Sequence, residues 1–163
     1  MTLGALNHLD GSLARAEFLR CCGSTRWATA MAHGRPFDSL ESMRARGDAV
    51  WRALTKADWL EAFAAHPKIG EQRPVGAWSA SEQAGMRSAD DALRARLERL
   101  NAEYEARFGY IFIVCATGKT PLEMLSLLDA RMVHDADEEL QIAAEEQRKI
   151  TALRLVKLVD GNA

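Results

Sequence analysis

Apolar residues recur three and four positions apart along almost the whole chain, the spacing of a single buried helix face. In "SLARAEFLRCCG" this places Leu13, Ala16, Phe18, Leu19 and Cys22 on a broad apolar face, and Gly23 is expected to stop the helix. "STRWATAMAHG" reads as a short second helix opened by Ser24. Arg35 to Phe37 reads as extended. Asp38 or Ser39 then caps a helix through Leu54, with Leu40, Met43, Val50, Trp51 and Leu54 facing inward. Thr55, with Asp58 three residues on, opens the helix of "KADWLEAFAA". That helix is expected to end at His66, because a residue before proline is pushed out of the α region.

A loop, "PKIGEQRPVGAW", follows, with two glycines and two prolines. Ser79 starts the next helix, and Ser88 with Asp91 restarts it for a long amphipathic run to Phe108. "YIFIVCA", Tyr110 to Ala116, is the only strand-like stretch. With no second strand to pair with, it is predicted to be a buried extended segment and not part of a sheet. In "TGKTPLE", Thr120 is the N-cap, Pro121 the first helical residue and Glu123 the returning carboxylate. A last helix spans about Asp137 to Val159. The fold class is all-α: a single-domain bundle over residues 1–163, with about eight helices and one short buried extended segment.

Composition changes this picture only by exclusion. Hydrophobic residues make up 48% of the 163 and charged residues 27%, ordinary for a globular protein with a real core. The formal net charge is −2, from 21 Lys and Arg against 23 Asp and Glu. No basic block marks a nucleic-acid partner, and no apolar run reaches the roughly 20 residues that span a bilayer. The start, "MTLGALNHLDG", does not read as a signal peptide. "LVDGNA" carries no peroxisomal address. Cys21, Cys22 and Cys115 make neither a disulfide framework nor a zinc pattern, which fits a reducing cytoplasm. Metal, nucleotide and serine-hydrolase motifs are missing, so no metal or cofactor is expected.

Three places carry candidate chemistry. His66 stands at a helix stop, before the rigid Pro67. It either bonds the last carbonyls of that helix or serves as a general acid and base, since an imidazole titrates near about 6.5. Ser79 and Glu82 fit a capping box, which is commonly structural. Gln83 is not needed by the cap, and three polar side chains at a helix start also make a binding wall with spare N–H donors. Arg154 lies four residues after Ile150 and four before Leu158, on the apolar stripe. It either snorkels to the surface or is buried against a carboxylate of the chain or a ligand. His8, His33 and His134 have no comparable framing.

"AHPKIGEQ", "SASEQAG" thirteen residues past the histidine, "NAEYEARFGYIFIVCA" and "RKITALRL" together resemble the OHCU decarboxylase family, in order and spacing, over nearly the whole chain. OHCU is 2-oxo-4-hydroxy-4-carboxy-5-ureidoimidazoline. The resemblance implies an all-α, cofactor-free lyase of urate catabolism that yields (S)-allantoin. It implies that His66 is the catalytic acid and base, that Pro67 orients it, and that Glu82 works beside it. Ser79, Glu82 and Gln83 would bind ureido and ring amide groups, and Arg154 an oxygen or carboxylate of the ligand. Backbone groups of Ile111, Phe112 and Ile113 would meet the hydantoin-like edge. A bacterial-type cytoplasmic enzyme, forming a homodimer, is the corresponding expectation. The alternative of another class is a non-catalytic helical interaction module, which needs an exposed apolar patch instead.

Overall fold

The computed structural model describes residues 1–67 and 91–160. Eight helices lie among them: α1 (Leu3–His8), α2 (Gly11–Cys21), α3 (Thr25–His33), α4 (Leu40–Arg52), α5 (Lys56–Ala64), α6 (Asp91–Phe108), α7 (Pro121–Arg131) and α8 (Ala136–Asp160). The described residues include no strand, so the all-α expectation holds. No described helix is long and apolar enough to cross a membrane.

Helix starts follow the short polar residues in the sequence. Ser24 accepts the Trp27 N–H at the head of α3. Ser39, not Asp38, caps α4, in a box completed by Ser42. Thr55 with Asp58 and Thr120 with Glu123 close boxes at α5 and α7, and Pro121 takes the first turn of α7. Each cap pairs backbone donors that would otherwise lack partners and contributes about 1 kcal/mol. The helix predicted at Ser79 lies outside the described residues, as does Ser88.

Three points in the N-terminal region are corrected. α1 was not anticipated: its six residues are too few for a periodic signal, and Thr2 caps it. On α2 the buried positions are Ala14, Phe18 and Cys21, whereas Leu13 is 57% exposed and Ala16 is exposed too. The helix therefore turns a narrower stripe inward, anchored on Phe18 rather than Leu13. Gly23 does not stop α2 through a left-handed conformation; the cap is Cys22, with extended backbone. Its role is close approach. A Cβ at Gly23 would stand 2.3 Å from the Ala65 Cβ and 3.7 Å from the Ala62 backbone, just past and within the last turn of α5.

The described chain forms two compact units. The first holds Met1–Ala65 with α8 from Gln147 onward. Its core sets Phe18 edge-on to Trp27, centroids 6.0 Å apart, and the Trp27 indole donates to the Gly47 carbonyl at 3.0 Å. Arg35 donates to the carbonyls of Leu6 and Leu9 at 2.7 and 2.8 Å, so one guanidinium satisfies the open end of α1. Thr25 donates through its N–H and its hydroxyl to Glu61, both at 2.6 Å, tying α5 to the start of α3.

The second unit runs from His66 to Glu146. Its apolar cluster joins Leu97 and Tyr104 of α6 to Met124, Leu125 and Leu128 of α7, with Phe112 and Val114 from the connecting segment. That segment is buried as expected: Phe112, Ile113, Val114 and Cys115 are all buried and belong to no regular element.

Candidate active site

α5 begins at a fixed place, because the Thr55–Asp58 box sets its first turn, and it ends at Ala64 with Ala65 as cap. His66 therefore falls immediately past the helix, as the His-Pro dipeptide predicts. It is half-buried, and Pro67 behind it is buried. Ser79, Glu82 and Gln83 lie outside the described residues.

Ile111, Phe112 and Ile113 are held by the interior of the second unit. Gly109, at φ 83°, makes the left-handed turn that leads from α6 into the segment. The Ile113 carbonyl accepts from Nη1 of Arg131, the last residue of α7. Two residues on, the Cys115 N–H donates to Glu146 at 3.4 Å, and the Cys115 carbonyl accepts from Lys119 at 2.7 Å. The Phe112 ring lies under the Arg131 guanidinium, 4.5 Å from centroid to Cζ, and edge-on to Tyr104 at 5.3 Å. The Phe112 side chain thus faces the core, and only the backbone of this residue is left to meet a ligand.

Arg131 is itself fixed. It is 5% exposed and pairs with Glu139, which is 0% exposed, through Nε and Nη2, both at 2.6 Å. The Tyr104 hydroxyl donates to the same carboxylate oxygen, and His134 Nδ1 lies 3.0 Å from the other. Burial, followed by the hydrogen bond to Glu139, raises the Tyr104 phenol well above its usual range, so it remains a donor. A buried charge pair is favourable only when its remaining donors and acceptors are satisfied, and this one has a phenol, an imidazole and a backbone carbonyl around it.

Arg154 belongs to the first unit. It is 7% exposed, so it is buried and does not snorkel. Ile150 and Leu158, four residues to either side, are buried with it, at 7% and 4%. Its charge favours the thiolates of Cys21 and Cys22, but burial outweighs that and pushes both thiols up, Cys22 to about 11. Thr151, one turn before Arg154, also opposes the rise at Cys22 and accepts from Gln147 at 3.1 Å.

Glu139, Glu146 and Gln147 were missed in the sequence, although the signal that picks out Arg154 applies to them. They fall on the same stripe of α8 as the buried Leu140, Ala143 and Ile150. Three polar residues on an apolar stripe imply buried partners, and Arg131 at the end of α7 is one. His134, set aside for lack of framing, lies against Glu139.

The described residues are thus all-α, with His66 just past a helix end and with Arg131 and Arg154 buried, each within its own unit. The family model for OHCU decarboxylase matches residues 7–156, and the chain belongs to that family. It is 38% identical to the uric acid degradation bifunctional protein TTL of Arabidopsis thaliana over 90% of its length, and spans about half of that longer protein, 48%. It is 33% identical to the 2-oxo-4-hydroxy-4-carboxy-5-ureidoimidazoline decarboxylase of Amia calva, over 91% of each chain. Among solved structures, OHCU decarboxylase in the presence of (S)-allantoin superposes with a TM-score of 0.80 at 37% identity, covering 88% of this chain and 97% of that one. (S)-allantoin synthase, 22% identical with a TM-score of 0.77 over 98% of this chain and 54% of that one, shares the fold.

Proposed function

We propose that the whole chain, residues 1–163, is one OHCU decarboxylase domain that converts OHCU to (S)-allantoin in urate breakdown, as a cytoplasmic homodimer. The family match over residues 7–156 carries this reading. The position of His66 at the end of α5 supports it.

The substrate carries a carboxylate and a hydroxyl on C4, beside a C5=N bond. When CO2 leaves, the electron pair of the breaking C–C bond flows into that imine. The electron sink lies within the substrate, so the protein has only to position and to move protons. His66 accepts the hydroxyl proton and then delivers it to one face of C5, basic in one step and acidic in the next, while the imine nitrogen that received the electron pair takes a proton from water. Pro67 fixes the direction in which the chain leaves the helix, and with it the imidazole. Glu82 orients His66 or the ureido N–H groups, while Ser79 and Gln83 bind the ureido and ring amides. Arg154 binds an oxygen or the carboxylate and stabilises charge as it develops. The ring edge rests on the backbone of Ile111 to Ile113. The Ile113 carbonyl is already bonded to Arg131, which leaves the Ile113 N–H and the groups of Ile111 and Phe112 to do so.

Facial control of protonation is the test. OHCU made in place by urate oxidation and hydrolysis should give optically active allantoin with the wild type. With His66→Ala or His66→Asn it should give a slow, racemic product from a protein of unchanged helix content. Wild-type optical yield from either variant would remove His66 from the mechanism.

A further inference from the structure

The Arg131–Glu139 pair lies outside the residues assigned to the reaction, yet it ends on the segment that meets the ring edge. Its Nη1 takes the Ile113 carbonyl, its Nε and Nη2 take one oxygen of Glu139, and its plane covers Phe112. Ile113 and Cys115 direct their carbonyls to Arg131 and Lys119, and the Cys115 N–H goes to Glu146. Bonds at Ile113 and at Cys115 hold the backbone of the segment in place. A segment free to rotate would spend binding free energy on becoming ordered around each substrate.

We propose that Arg131, oriented by Glu139, is a positioning residue for decarboxylation: by holding the Ile113 carbonyl inward it presets the backbone of Ile111 to Ile113 for the substrate ring. This rests on the proposed function, since it takes that segment as the ring-edge contact. Glu139 is the partner that makes a buried guanidinium tolerable, and Tyr104 and His134 complete the coordination of its carboxylate. The arrangement needs an arginine. One ammonium cannot reach Glu139, the Ile113 carbonyl and the Phe112 face together, whereas a planar fork does.

Arg131→Lys separates this role from a purely structural one, because it keeps a cation opposite Glu139. Assayed well below its melting temperature, the folded variant should show KM raised about tenfold, with kcat within about threefold of wild type, the signature of lost uniform binding. Glu139→Gln should shift KM in the same direction. Unchanged KM in a folded variant, even with a lowered melting temperature, would reduce the pair to a structural role and overturn the proposal; so would a fall confined to kcat. If Arg131→Lys does not fold, Tyr104→Phe, which removes one hydroxyl from the same carboxylate, takes its place and should raise KM about threefold. Wild type assayed alongside separates the two claims. Failure of wild type to turn over OHCU would sink the reaction itself, whereas turnover with unaltered KM in the variants would sink the positioning role alone.

Discussion

Arg154 shows how much one residue can reveal by its register. On the sequence it stands between Ile150 and Leu158 on the apolar stripe, and in the structure all three are buried. The sequence leaves open whether such an arginine snorkels, because a three-methylene stem ending in a guanidinium lets its head escape from many buried positions. Only the packed neighbours decide it, and here they close around the side chain. On the proposed reading, Arg154 meets an oxygen or the carboxylate of the substrate. Arg154→Lys should then lower kcat/KM tenfold or more, about 1.4 kcal/mol, because an ammonium cannot reproduce the planar fork. Arg154→Met should hold or raise the melting temperature while losing activity, since an apolar chain fits the stripe. Steady-state kinetics beside a thermal melt reads both, and a kinetically silent Arg154→Lys would remove this residue from the site. The roles of Ser79, Glu82 and Gln83 rest on the family resemblance, and they lie beyond the described residues.

At the scale of the element, caps were legible and faces less so. Ser24, Thr55 and Thr120 each open a helix where expected, because capping is a local bond from a short polar side chain to the backbone N–H three residues on. On α2, Phe18 and Cys22 are buried as expected, but Leu13 and Ala16 are exposed and the small Ala14 is buried in their place, because periodicity alone does not say which edge of a broad apolar face its neighbours cover. Gly23 illustrates a signal that sequence cannot interpret. A glycine after a helix suggests a left-handed stop, but here it marks contact with the end of α5. Gly23→Ala should destabilise the fold by about 1–3 kcal/mol, because the new methyl meets a Cβ attached to helix backbone and not a flexible side chain. It should also lower activity, since the strain falls on Ala65, the residue before His66. Gly11→Ala, where an added Cβ meets nothing within 4 Å, is the matched control and should be neutral in both respects. Equal melting temperatures for the two variants would refute the close-approach account.

For the whole molecule, the helical class was legible because period-3.6 patterning is summed over many residues, whereas the grouping into two units was not. The division falls inside α8, between Glu146 and Gln147, where no break in the sequence marks it. Global stability should carry a trace of the buried chemistry of the first unit. Cys22 is completely buried, and its thiol is pushed up to about 11, first by burial, against the opposing pull of the Ser24 backbone, Thr151 and Arg154. A free thiol titrates at about 8.5–9. The folded state therefore keeps its proton over a range in which the unfolded chain has lost it. For a raised pKa, the contribution to stability is full below the unfolded value and falls as pH rises toward the folded one. Between pH 8 and about 10.5 the wild type should lose about 2 kcal/mol more unfolding free energy than Cys22→Ala does, because the variant has no thiol at this position to titrate. Urea melts of both proteins under reducing conditions, at several pH values across that window, measure the difference directly. Parallel pH profiles would show that Cys22 ionises as readily in the folded protein as in the unfolded chain, and that Arg154 and Thr151 offset its burial in full.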